Sequence, residues 1–130
     1  MRPCRALPAK RSQGDFEAAI ASYALSLDAA ARSGDEAETC YELQGVAMTL
    51  AGLGQAEHAL RIAGAADRQL RSLGIPNDDS VAFWEALLDR FIGGARDVLG
   101  AEADAVWEAG GHLDLRAAVA EALALAGSRA

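Results

Sequence analysis

From position 14 onward, apolar side chains recur three and four residues apart, the spacing of a helical face, and most such runs end at a glycine. The first run places Phe16, Ile20, Tyr23 and Leu27 on one stripe and stops at Gly34, which predicts a helix over about 15–33. Asp35 stands three residues before Glu38, the spacing of a capping box. Leu43, Ala47 and Leu50 then form the stripe of a second helix, about 36–53, closed by Gly54. Leu60, Ala63, Ala66 and Leu70 or Leu73 share one face of a third, about 55–73, with Gly74 and Pro76 as its stop. Phe83, Leu87, Leu88, Phe91 and Ile92 define a fourth, capped by Asp79 or Ser80 and running through Gly93 and Gly94 to Leu99. A short fifth helix, about 101–109, holds Val106 and Trp107, the tryptophan expected in the core against the last helix. The sixth follows Asp114 and carries Leu115, Val119, Ala122 and Leu123 to about Ala126. The pattern predicts an all-α chain of about six helices whose short turns force neighbours to pair antiparallel.

Composition narrows the picture to the same class. The 130 residues include 31 Ala and 16 Leu but only 11 Val, Ile and Thr together, with 5% aromatics. Those are too few branched and ring side chains to cover a pleated sheet, whereas Ala and Leu lose little entropy in a helix. The formal charge is −7, with a single lysine, so the basic face that nucleic acid or an anionic membrane requires is not expected. No apolar run reaches the 18 or so residues that cross a bilayer. Cys4 and Cys40 are too few for a disulfide scaffold, which predicts a cytoplasmic protein. The charge is also uneven. Residues 1–13 hold Arg2, Arg5, Lys10 and Arg11 with no acid, a local +4, and the remainder has 8 bases against 19 acids, or −11. The first segment, with Pro3 and Pro8, reads as a disordered basic leader ahead of a single helical domain over 14–130.

The helices show an internal offset of 40 residues: Gly14, Glu17, Ala19 and Ile20 match Gly54, Glu57, Ala59 and Leu60, with a weaker copy from Gly100. Small residues stand seven positions before two of these glycines, Ala47 before Gly54 and Gly93 before Gly100, where close backbone approach is expected. Gly14-Asp15-Phe16-Glu17-x-Ala19-Ile20-x-x-Tyr23, with Ala47, Gly54, Ala59 and Ala66, resembles the tetratricopeptide repeat, a helix-turn-helix unit that stacks into a superhelix. Further along, Trp107, Gly110, Leu113, Asp114, Leu115, Ala118 and Val119 are similar to the close of the tetratricopeptide-like array in large multidomain ATP-binding transcriptional regulators of high-GC bacteria. Ala103 stands where that family often has an aromatic residue, and neither an ATPase nor a DNA-binding module is present. The resemblance implies a half repeat over 15–33, hairpins over 36–73 and 80–109, and a closing helix over 115–126.

Residue chemistry for catalysis is sparse. His58, His112, Cys4 and Cys40 lack the close spacing of metal-ligand pairs, and no phosphate-binding or nucleophile-elbow motif occurs, so no metal, cofactor or enzymatic activity is expected. Glu85, Asp89, Asp97, Asp104 and Glu108 read as solvated faces. What remains is recognition. In tetratricopeptide arrays the first helix of each pair lines a concave groove, which implies Tyr41, Gln44, Met48 and Ala51, and in the fourth helix Trp84 and Arg90, as residues facing a protein or peptide. The stacking logic of such repeats also leaves the first helix without its partner. Its stripe, Phe16, Ile20, Tyr23 and Leu27, is then half covered and offers a face for homodimerisation. The expected function is a non-catalytic interaction or scaffold domain. The alternatives are a small-ligand sensor, or a signal-propagating piece of a larger regulator whose parent chain extends further at its N-terminus.

Overall fold

The computed structural model of the chain describes residues 13–75 and 82–128, all of it helical apart from short turns. The basic leader and the expected Asp79 or Ser80 cap lie outside these residues. Among the described residues six α-helices follow one another: α1 (Gln13–Ser33), α2 (Glu36–Gly52), α3 (Ala56–Ser72), α4 (Ala82–Leu99), α5 (Ala103–Gly111) and α6 (Leu115–Gly127), with a 3-10 turn at Gly100–Glu102. No helix among the described residues is long and apolar enough to cross a membrane.

The local signals act as the sequence suggests. Asp35 accepts a hydrogen bond from the Glu38 amide at 3.0 Å and Asp114 one from the Ala117 amide at 2.7 Å, each satisfying a donor that the first helical turn leaves over. Gly34 and Gly54 take φ of 81° and 84°, left-handed values that end α1 and α2 and turn the chain back on itself.

The α2–α3 pair forms the centre of the molecule. Leu43 to Leu50 are buried without interruption, as are Ala59, Leu60 and Ile62 to Ala66. Helix α1 lies along one side of α2, α4 spans α2 and α3, α5 lies against α3, and α6 touches α1, α2 and α3. First and last helices therefore meet. This corrects the expectation of a half-covered α1: Ile20 and Leu27 are buried inside the single chain. The rings of Phe16 and Tyr23 rest on Gly52 and Gly45, where a Cβ would collide with them, and Phe16 also meets Phe91 edge to face at 6.1 Å. The stripe expected to mediate homodimerisation thus packs within the chain, its rings on α2 and, at Phe16, on α4.

Helix α5 is held by a different device. It runs antiparallel to α3, with Gly64 against the Trp107 carbonyl and Gly110 against the Arg61 carbonyl, so the two backbones touch with no side chain between them. The same Arg61 pairs with Glu121 at 2.7 Å and links α3 to α6. Trp107, expected against α6, instead sets its backbone on α3 and its half-buried ring beneath the Arg96 guanidinium, 5.1 Å from the ring centroid. Close approach at Gly93 is also not found, because a Cβ there meets nothing within 4 Å, and the same holds for Gly94. Replacing either with Ala is expected to raise stability by about 0.5–1 kcal/mol, the helix-propensity difference, read as a higher midpoint in thermal denaturation.

Candidate functional site

Helix α4 turns Trp84 inward while its neighbour Phe83, expected on the buried stripe, is 77% exposed. The inward positions Trp84, Leu88, Phe91, Ile92 and Ala95 follow the helical period, and Phe83 stands one step, about 100°, off that line. The indole N–H of Trp84 donates to Gln44 Oε1 on α2 at 2.7 Å, bridging the two helices. Around this bond opens a cleft of about 430 Å³ between the first half of α2, the end of α3 and the start of α4. Tyr41, Gln44 and Trp84 line it, together with Leu70 and Ile75 from the α3 side and Leu88 from α4. A second hollow of about 320 Å³, lined by Tyr23, Glu38, Tyr41, Glu42 and Trp84, shares the Tyr41 and Trp84 rings with the first. Of the six groove residues expected from sequence, Tyr41, Gln44 and Trp84 therefore converge.

Met48, Ala51 and Arg90 do not join them. Met48 is 6% exposed and belongs to the core, one turn past Gln44 and outside the cleft lining. Ala51, the next-to-last residue of α2, packs at the core's edge, and Arg90 lies over the ring of its own neighbour Phe91, 5.4 Å from its centroid. Two acids assigned to solvated faces do line the cleft, Glu85 and Asp89, one helical turn apart on the Trp84 side of α4. Their i, i+4 spacing beside a tryptophan was the available signal.

The walls are acidic. Glu38, Glu42, Asp67, Glu85 and Asp89 face the two hollows, and the single cationic lining residue, Arg71, is already bonded to Asp67 at 2.7 Å. Burial pushes the Glu42 carboxyl up to about 7, helped by the hydrogen bond that protonated Glu42 donates to its neighbour Glu38 and by that residue's charge. The Tyr23 hydroxyl is raised too, by burial first and by Glu42 second. Because folding favours the protonated form of Glu42, its contribution to stability is whole below its ordinary value of 4.5 and is lost as pH rises through about 7. Glu42→Gln cannot ionise and keeps that contribution. The variant is expected to melt roughly 2 °C above the wild type at pH 8, a solvent-screened effect well under 1 kcal/mol, with no difference between the two near pH 4.5. Equal melting points at pH 8 would contradict this.

Cys40 is fully buried and its thiol is pushed up to about 12 by burial and by Glu36, which keeps it protonated. His58 and His112 are exposed on α3 and just past α5, and among the described residues no group of three His, Cys, Asp or Glu could hold a metal ion. Comparison of the chain with protein-family models, with curated proteins and with solved structures found no match.

Proposed function

We propose that the chain is a non-catalytic interaction domain that holds a peptide segment of a partner protein in the cleft between α2, α3 and α4. The observation that carries this reading is the Trp84–Gln44 hydrogen bond, which fixes a large amphipathic ring in the lining of a cleft beside Tyr41. Tryptophan and tyrosine bury much area at little entropic cost, which is why they anchor interfaces. The cleft lies where the tetratricopeptide resemblance implies a groove, on the first helix of each pair. A regulatory role in a cytoplasmic setting belongs to the same resemblance and to the two-cysteine composition. The second reading is a small-ligand sensor, favoured by the cleft's volume, which is within the range of small-molecule pockets.

A random peptide library, panned in parallel against the full chain and against its Glu85→Lys and Trp84→Ala variants, tests the first reading. Sequences enriched on the wild type and lost on both variants are expected. Equal enrichment on all three chains, each verified as helical by circular dichroism, would place peptide binding elsewhere and overturn it.

A further inference from the structure

Three polar side chains are buried among the described residues: Thr39, Gln44 and Thr49. The two threonine hydroxyls are satisfied inside their own helix, donating to the carbonyls of Asp35 at 2.7 Å and Gly45 at 2.8 Å. Gln44 is different. An indole N–H can only donate, so the amide must turn Oε1 toward Trp84 and its NH2 group away. Gln44, 8% exposed, lines the cleft, and its amide nitrogen makes no hydrogen bond within the described residues. A buried amide nitrogen with two free donors is costly to leave unmade, and it calls for an acceptor brought from outside.

The surroundings state what else the visitor must carry. Glu85 and Asp89 line the cleft and Glu38 and Glu42 the adjoining hollow, the two sharing the side chains of Tyr41 and Trp84, and among the described residues no salt bridge pairs any of these four acids. A guanidinium or ammonium there meets carboxylates and aromatic rings together. Building on the peptide-cleft reading, we infer that the occupant is an extended cationic peptide. Its Arg or Lys side chains lie between these carboxylates, and one of its backbone carbonyls accepts from Gln44 Nε2. A polyamine supplies the charge but no acceptor for Gln44, and an acidic peptide supplies the acceptor against a repulsive wall.

The test uses the full chain carrying Trp107→Phe, so that Trp84 alone reports by fluorescence. The probes, at 50 mM salt, are acetylated and amidated Arg-Ala-Arg-Ala-Arg, its Glu and Ser counterparts, and spermidine. The arginine peptide is expected to bind at least tenfold more tightly than any of the other three. Its affinity should fall about tenfold in the Glu85→Gln, Asp89→Asn double variant, and by a similar factor at 500 mM salt. Both substitutions sit at the cleft's rim, outside the buried core, so the double variant is expected to fold. Serine and arginine peptides that bind equally and both perturb Trp84 would overturn the cationic assignment while leaving a peptide cleft. Spermidine binding as tightly as the arginine peptide would overturn the role given to Gln44. Silence of Trp84 toward every peptide would overturn both this inference and the reading beneath it.

Discussion

Gly110→Ala is expected to cost about 3 kcal/mol of stability or more, a large share of what a domain of this size commands. The added Cβ would meet the carbonyl oxygen, carbonyl carbon and Cα of Arg61, all backbone atoms in the interior of α3. A flexible side chain could swing aside, but a helix backbone cannot. Helix α5 would have to lift as a body, exposing Ala103 and separating Trp107 from Gly64. Gly64→Ala attacks the same crossing from the other side, against the Trp107 carbonyl, and should cost a comparable amount. Gly111→Ala is the control: its nearest neighbour is the Arg68 Cβ at 4.0 Å, and its effect should stay within about 0.5 kcal/mol. Urea denaturation of the three variants separates these outcomes. A Gly110→Ala chain as stable as the wild type would mean that α5 does not cross α3 in this way.

The second large effect is expected at Leu27, which is fully buried where α1 meets the rest of the chain. Leu27→Ala should destabilise by about 2–5 kcal/mol, the transfer term plus the cavity left behind. That loss should be the same at 1 μM and at 100 μM protein. Were the α1 stripe instead an interface between two copies, stability would rise with concentration and the variant would lose that dependence. Denaturation curves at the two concentrations distinguish one case from the other.

Helix existence and limits were legible in the sequence because their causes are local. Asp35, Asp114 and the glycines at 34, 54, 74 and 100 act within a few residues of where they stand, and the expected ends agree with the observed ones within about two residues. The partnership of helices was not legible in the same way. Gly64 and Gly110 lie far apart in sequence, and a glycine inside a helix gives no sign of which carbonyl it will meet. Gly93 and Gly94 show the converse, since identical residues in α4 meet nothing. The same limit applies to α1, which packs against α6 from far along the chain.

At the site, Tyr41, Gln44 and Trp84 were reached by carrying a repeat pattern onto this chain. Met48 and Arg90 do not line the cleft, for separate reasons. Periodicity cannot reveal that Met48 belongs to the core, nor can it fix the rotation of α4 closely enough to choose between Phe83 and Trp84 as the inward ring. Glu85 and Asp89 escaped notice because acids on a helix are ordinarily solvated, and only the placement of Trp84 gives this pair a wall to form.

The cleft itself is tested most directly by the side-chain resonances that define it. In a nitrogen–proton correlation spectrum of the labelled chain, the arginine peptide is expected to shift the Gln44 side-chain NH2 and the Trp84 indole N–H more than any other signal. Amides of α5 and α6, on other sides of the molecule, should stay in place. An unmoved Gln44 amide while the peptide shifts resonances elsewhere, or a spectrum unchanged at saturating peptide, would contradict the assignment of this cleft as the place where the chain meets its partner.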